Sequence, residues 1–459
     1  MRKFIVVGMT LTFLACAGAG QAAPKAPSPP KAEVQARRTA EALYAQALRQ
    51  MEADDFAAAR TSLDDALKQD STYDPARYVR AIVLSRLRET DAALADLAIL
   101  EPRADRERFL ETKAVTLMEG GRYREATAVY DDLIALKPKS ADAYRRRAHV
   151  RQASEVDSEI PAALADYAKA LELDPDMLDV YGLRGEILSA TRDEKGVEEN
   201  YQAWLAREPD SARAHAGYAG ALERLGKIDK ARVEIDRALA LKPNVEAYLI
   251  RARITPKDQR EAFLADIDRA LALAPDDTFA YQLRAERRHA WGQDDLALAD
   301  VEKALKAWPE SYSARYLRAT LHQNDGRYDL AVKDFDVLIA REPDQAALYN
   351  GRCWSRGLGN VELDRALADC ETALKLLPGN AAILDSRGFI KLRKGDLVGA
   401  VADYDLALTT APDQAASLFG RGVAKRRQGA KAAGDADLAR ARKVDPGVEK
   451  EFAGYGVTP

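Results

Sequence analysis

The sequence predicts an all-α fold in which about twelve helical hairpins stack as a solenoid. Three observations carry that reading. Prolines recur every 32 to 37 residues, at Pro102, Pro138, Pro175, Pro209, Pro243, Pro275, Pro309, Pro343, Pro378, Pro412 and Pro446. Side chains of fixed size recur ahead of each proline. A second series of small residues stands seven positions ahead of a recurring glycine.

Each repeat can be built in chain order from these positions. Its second half has a small residue twelve before the proline (Ala126, Ala163, Ala231, Ala297, Ala331, Ala366, Ala400). A large apolar residue lies eight before (Tyr130, Tyr167, Tyr201, Phe335, Tyr404), and another small one five before (Ala170, Ala238, Ala270, Ala304, Ala373, Ala407). Offsets of four and seven fall on one face of a helix. Proline then ends that helix because it has no N–H to give to the next turn. The first half places Ala114, Ala219, Ala285, Ala319, Gly388 and Gly422 seven before Gly121, Gly226, Gly292, Gly326, Gly395 and Gly429. Glycine accepts the positive φ of a helix end, so these mark the turn inside each hairpin. Small residues on both helices allow close backbone approach, with the large side chain filling the space beside them. A lone hairpin of this kind has no core, and stacking supplies one.

These positions resemble the tetratricopeptide repeat family. The cleanest copy is residues 310–343, ESYSARYLRATLHQNDGRYDLAVKDFDVLIAREP, and the resemblance extends over about 38–446. It implies a right-handed superhelical solenoid whose first helices line a concave face that holds an extended peptide or a partner helix. Some copies depart from the pattern. The second repeat has lost three residues between Asp96 and Pro102, so its second helix should be short. The fourth carries an insertion near Glu155–Ile160. The seventh has Pro256 in its turn and Phe263 in place of a small residue, which marks it as the weak joint.

The ends of the chain read differently. Arg2 and Lys3, the apolar run Phe4–Leu14 and the small residues up to Ala23 form a secretory signal over residues 1–22, with cleavage after Ala22. Lipidation at Cys16 and an uncleaved anchor are the alternatives, and membrane contact is expected only in the lipidated form. Residues 23–37 read as an extended Pro/Ala-rich linker. The tail 447–459, with Val448, Phe452 and Tyr455 at helical spacing, reads as a cap on the last hairpin that leaves the groove open. The expected location is the periplasm.

Composition narrows the function. The chain has 69 Lys+Arg against 73 Asp+Glu, a net charge of −4, and no large positive field to attract a phosphate backbone. With three cysteines and four scattered histidines, neither a zinc site nor a disulfide scaffold is expected. There is no phosphate-binding, dinucleotide, zinc-protease or nucleophile-elbow motif. His149, His215, His289 and His322 fall in four different repeats and read as surface or groove residues. No cofactor and no catalytic set is therefore expected. Cys353 and Cys370 occupy two core-facing slots of one repeat and read as buried thiols. A disulfide between them is the alternative, opposed by slots that look about one turn out of level.

Charges also repeat. Arginine precedes the small first-helix residue at Arg80, Arg147, Arg184, Arg251, Arg284, Arg318, Arg352, Arg387 and Arg421. Aspartate precedes the apolar second-helix slot at Asp96, Asp166, Asp266, Asp300, Asp334, Asp369, Asp403 and Asp437. The two signs recur together, as expected of semi-buried charges that pair across the helix contact. The basic run Arg421, Lys425, Arg426, Arg427, Lys431 reads as a solvated end face.

Function is then expected from surface. In repeats four to eight the outward first-helix positions are mixed and polar, with Arg145, His149, Asp179, Glu186, Arg213, Glu246, Arg253 and Glu286. In repeats nine to twelve they become Tyr316, Asn350, Trp354, Phe389 and Phe419. If these are exposed, they form an aromatic stripe suited to a protein partner; otherwise they are packing residues between neighbouring first helices. The Lys/Asn set with which the family grips chaperone tails is represented only by Asn350, so that activity is not implied. The sequence reads as a non-catalytic interaction scaffold of the bacterial envelope, with self-association as the alternative.

Overall fold

The computed structural model describes residues 30–459. The signal over 1–22 with Cys16, and residues 23–29 of the linker, lie outside the described residues. Among those described there are 25 α-helices and one short 3-10 turn. The chain divides into two compact units after Ile187.

In the first unit four hairpins follow one another: Lys31–Glu52 with Phe56–Gln69, Asp74–Arg86 with Thr90–Leu100, Arg106–Glu119 with Tyr123–Leu136, and Ala141–Ala153 with Ile160–Leu173. The fifth pair, Leu178–Ala190 and Glu194–Arg207, lies where the chain divides. The second unit continues with hairpins six to twelve. They are Ala212–Arg224 with Ile228–Leu241, Val245–Ile254 with Arg260–Leu273, Thr278–Ala290 with Asp294–Ala307, Tyr312–Asn324 with Tyr328–Arg341, Ala346–Gly359 with Leu363–Leu376, Ala381–Lys394 with Leu397–Thr410, and Ala415–Arg427 with Lys431–Val444. A last helix, Val448–Gly454, closes the chain. Within each unit successive hairpins pack in chain order.

The first helix corrects the linker expectation, because it begins at Lys31 and makes residues 31–37 helical. Pro30 stands just outside the first turn, where a missing N–H costs nothing, and the run KAEVQARR that follows favours helix.

Local chemistry sets the ends of the repeated helices. Many first helices start on a side chain that accepts a backbone N–H three residues on: Ser140 from Ala143 at 3.2 Å, Asn244 from Ala247 at 2.9 Å, Asp277 from Ala280 at 2.7 Å and Ser311 from Ala314 at 3.3 Å. The turn glycines Gly121, Gly226, Gly292, Gly326, Gly395 and Gly429 have φ between 71° and 90°. Asp54, Arg88, Glu155 and Arg192 hold the same turn position with φ between 53° and 62°, a left-handed conformation that costs a residue with a Cβ.

The core lies in the slots read from the repeat. Ala126, Ala163, Ala231, Ala297, Ala331, Ala366 and Ala400 are fully buried, and so are Tyr130, Tyr167, Phe335 and Tyr404. Each large ring fills space left by two small residues, one on its own hairpin and one on the next. A Cβ on Gly388 would stand 3.0 Å from Tyr404 Cε1, and one on Gly420 would stand 2.9 Å from its Cε2. Burying such a ring contributes about 1.5–3 kcal/mol.

That geometry also explains a correction. Cys353 and Cys370 are not free thiols; they form a disulfide with Cα atoms 5.6 Å apart. They occupy the slots held by Gly388 and Tyr404 one hairpin later, so the slots are level. Two small sulfur-bearing side chains placed there meet directly.

The charge ladder is bidentate. In the eighth hairpin Arg284 donates from Nε and Nη2 to Asp300, both at 2.8 Å, and in the eleventh Arg387 holds Asp403 at 2.8 and 2.6 Å. The same fork joins Arg80–Asp96, Arg147–Asp166, Arg251–Asp266, Arg318–Asp334, Arg352–Asp369 and Arg421–Asp437. A second aspartate, one residue after the apolar slot of the preceding hairpin, completes many of these sites. Arg80 reaches Asp64 at 2.8 Å, Arg284 reaches Asp268 at 2.7 Å and Arg421 reaches Asp405 at 2.7 Å. A cation one turn further along the first helix then joins the buried aspartate, as Arg151, Arg288, Lys391 and Lys425 do. The buried carboxylates are thus neutralised, and where the outer aspartate is present it ties the hairpin to the one before.

The irregular repeats are patched. Thr90–Leu100 is a short second helix of 11 residues, as the deletion predicts. In the seventh hairpin the first helix has only ten residues, and Phe263 fills the gap, fully buried. The eighth hairpin braces it: Trp291 meets Phe263 edge-on at 5.6 Å, donates to Lys257 O at 3.0 Å, and Arg287 lies 4.7 Å over the Phe263 ring.

Candidate protein-binding face

The aromatic positions of repeats nine to twelve do not form one open stripe. Tyr316 is exposed and keeps to its own hairpin, stacked on Tyr312 at 6.2 Å and edge-on to Phe335 at 5.9 Å. Asn350 is half-buried, and its Oδ1 is shielded from solvent without a hydrogen bond. Phe389 and Phe419 are fully buried, and Trp354 is half-buried against Phe389 with ring centroids 4.9 Å apart.

The cover is the C-terminal segment. Phe452 packs 4.7 Å from Phe419 and 5.9 Å from Phe389, and Tyr455 meets Phe389 at 5.9 Å and Trp354 edge-on at 5.8 Å. The first helices of hairpins ten, eleven and twelve therefore share one aromatic floor, and the tail lies on it. This corrects the expectation of a cap that leaves the face open. The helical spacing of Val448, Phe452 and Tyr455 was readable, but not the surface they would cover. Gly456, at φ 73°, turns the chain so that Val457 is buried as well.

Polar contacts fix the tail's backbone. Arg393, 5.0 Å over the Phe389 ring, donates to the Tyr455 carbonyl, and Arg427 donates to Thr458 O at 3.0 Å. Burial pushes the Arg393 guanidinium below its usual value. The Tyr455 hydroxyl donates to Glu451 at 2.6 Å. Beneath this layer Asp385 is buried and accepts from Ser417 Oγ at 2.5 Å. Burial raises its carboxyl to about 6, with Glu451 of the tail adding to the shift. Burial also pushes the Tyr404 hydroxyl well above its usual value, and that oxygen has no hydrogen bond.

Elsewhere the polar lining is engaged with itself. In the first unit Arg145 grips Asp142 and approaches Asp179 at 3.7 Å, and burial lowers the His149 imidazole. In the second, Arg253 forks onto Glu223 at 2.8 and 2.5 Å. His215 and His322 are buried rather than exposed, and His215 Nδ1 lies 2.6 Å from Glu234. Of the basic run near the end, Arg421 and Lys425 hold Asp437, Arg426 reaches Asp435 at 3.3 Å and Arg427 holds the tail. A cavity of about 370 Å³ beside the seventh turn is lined by Arg232, Arg251 and Arg269, but Asp236 and Asp266 already engage Arg251, and Asp266 also engages Arg269.

Residues 193–254 and 292–353 each match a model of the tetratricopeptide repeat. An Hsp70-Hsp90 organizing protein of Triticum aestivum is 29% identical over 151 residues, which is 32% of this chain; the chain spans a quarter of that relative's length. Among solved structures, the APC/C hetero-tetramer Cut9-Hcn1 is 16% identical at a TM-score of 0.44, covering 85% of this chain and 91% of its own. Yeast Tom70 is 16% identical at 0.36, covering 84% and 95%. A tetratricopeptide repeat protein from Parabacteroides merdae is 23% identical at 0.40, covering 54% and 98%. The matched segments lie among hairpins with the same slots, turns and charge pairs, and the chain carries tetratricopeptide repeats.

Proposed function

We propose that the protein is a non-catalytic scaffold of the bacterial cell envelope that binds a protein or peptide segment on its first-helix face. The observation that carries this reading is the aromatic floor of Trp354, Phe389 and Phe419, which already holds a short peptide segment, the chain's own tail. Aromatic anchors on such a face are the side chains that dominate interface energetics. Repeat arrays present long continuous surfaces of this kind. The similar wheat protein is named for organizing two chaperones, which supports an adaptor role; the single Asn350 gives no support for chaperone tails as the ligand.

Two features support an exported location. Residues 1–22 have the three-part signal pattern, and the Cys353–Cys370 disulfide suits an oxidising compartment. Intact-mass measurement of the native protein should find a chain beginning at Ala23; an intact Met1 would remove the export reading, and a lipid-modified Cys16 would replace the cleaved form with an anchored one. Affinity capture from an envelope extract should recover a partner with the unaltered protein and lose it with Trp354→Ala at matched thermal stability. Equal recovery would move the binding site off this face.

A further inference from the structure

We propose that residues 447–459 are an exchangeable occupant of the first-helix face of hairpins ten to twelve, and that the partner taken there is a short amphipathic peptide presenting two aromatic residues at helical spacing. This rests on the reading of that face as the peptide site, and adds the class of partner and a gate.

The tail does not simply continue the stack. A further first helix would lie beside Ala415–Arg427, as each first helix lies beside its neighbour. Phe452 instead touches Phe389 of the eleventh hairpin as well as Phe419 of the twelfth, and Tyr455 reaches back to Trp354 of the tenth. The segment runs across three first helices, the path of a bound peptide.

The contacts are also of a kind another peptide could reproduce. Val448, Phe452 and Val457 are buried by apolar and aromatic contact. Arg393 and Arg427 bind main-chain carbonyls, at Tyr455 and Thr458, which any residue supplies. The outward residues Lys450, Ala453 and Gly454 are exposed and place no demand on sequence, whereas Glu449 is held by Arg442 at 2.8 Å and Glu451 accepts from Tyr455 at 2.6 Å.

The tail is built to come off. Its helix has seven residues, far below the roughly 12–15 at which an isolated helix becomes marginal in water, so it is helical only while docked. Gly456, at φ 73°, turns the chain two residues after that helix ends. What holds it is the high effective concentration of a covalently attached ligand. A competing peptide must overcome that advantage, so the tail acts as a threshold for binding.

The test uses a labelled synthetic peptide of residues 445–459 and fluorescence anisotropy on the full-length chain. Phe452→Ala/Tyr455→Ala, or Tyr455→Ala alone as the milder variant, should bind the peptide at least about tenfold more tightly than the unaltered protein. Adding Trp354→Ala to either should abolish that binding. Equal binding by altered and unaltered chains, no binding by a cooperatively melting variant, or loss of folding in both variants would overturn the proposal, the last by showing the tail to be part of the structural core. Peptide binding by the loosened chain with no partner captured from an envelope extract would leave the gate standing and remove the scaffold role. Partner capture that ignores the tail substitutions would remove the gate and leave the scaffold.

Discussion

Asp385 carries a carboxyl group buried on a first helix. It lies among Leu384, Ser386 and Arg387 on a first helix, where nothing in the repeat marks it as buried, yet its carboxyl is raised to about 6. A folded-state value above the unfolded one means the fold binds the proton more tightly. Its contribution is therefore fully present below about pH 4 and is lost as pH rises through 6, a loss of about 3 kcal/mol. Asp385→Asn, which can still accept from Ser417, should melt higher than the parent at pH 7.5, with the gap closing towards pH 4; a gap constant across that range would show that the fold does not raise the Asp385 carboxyl. Asp437 runs the other way. Burial pushes it up, but hydrogen bonds from Arg421 and Lys425 outweigh that and hold it below its usual value, so its contribution fades as pH falls. The ladder pairs were legible because both signs repeat, whereas the outer aspartates such as Asp64 and Asp268 were hidden among other surface carboxylates.

At the level of the hairpin, turn chemistry and small-residue slots were legible because they depend on local φ and on volume. The turns give a paired test. Arg88→Gly, at φ 62°, should raise stability by up to about 1 kcal/mol, and Gly326→Ala, at φ 72°, should lower it by a similar amount, both read from thermal melts. No gain from Arg88→Gly would mean that its long-range contacts outweigh the strain. The disulfide was misjudged because helical period alone does not show which slots of two helices are level. Closing a loop with a sequence separation of 17 contributes about 3 kcal/mol in the chain-entropy view. Reduction, or Cys353→Ser with Cys370→Ser, should thus lower the melting temperature and increase hydrogen exchange first in 346–376; unchanged exchange there would show the bridge to be dispensable. The seventh hairpin teaches a similar lesson. Phe263 looked like a defect in its own repeat, and its compensation by Trp291 and Arg287 comes from the next one.

Across the described residues, the repeating part was readable and the docking of the tail was not. A 34-residue period reports the same contact many times over, so Ala331, Phe335 and Ala319 each confirm what their counterparts imply. The tail has no counterpart, and its docking depends on surface complementarity that no spacing encodes; the sequence therefore leaves Phe389 and Phe419 open between an exposed stripe and packing residues, and they are the buried floor under the tail. The central claim is that the first-helix face, not the second-helix face, meets the partner. The most direct measurement is site-specific photocrosslinking in the native envelope, with the reactive side chain at Tyr316, an exposed first-helix position, in one chain and at Val398, an exposed second-helix position, in another. Adducts between a partner and the Tyr316 chain, and none from the Val398 chain, are the expected result. Partner adducts from Val398 alone would contradict it.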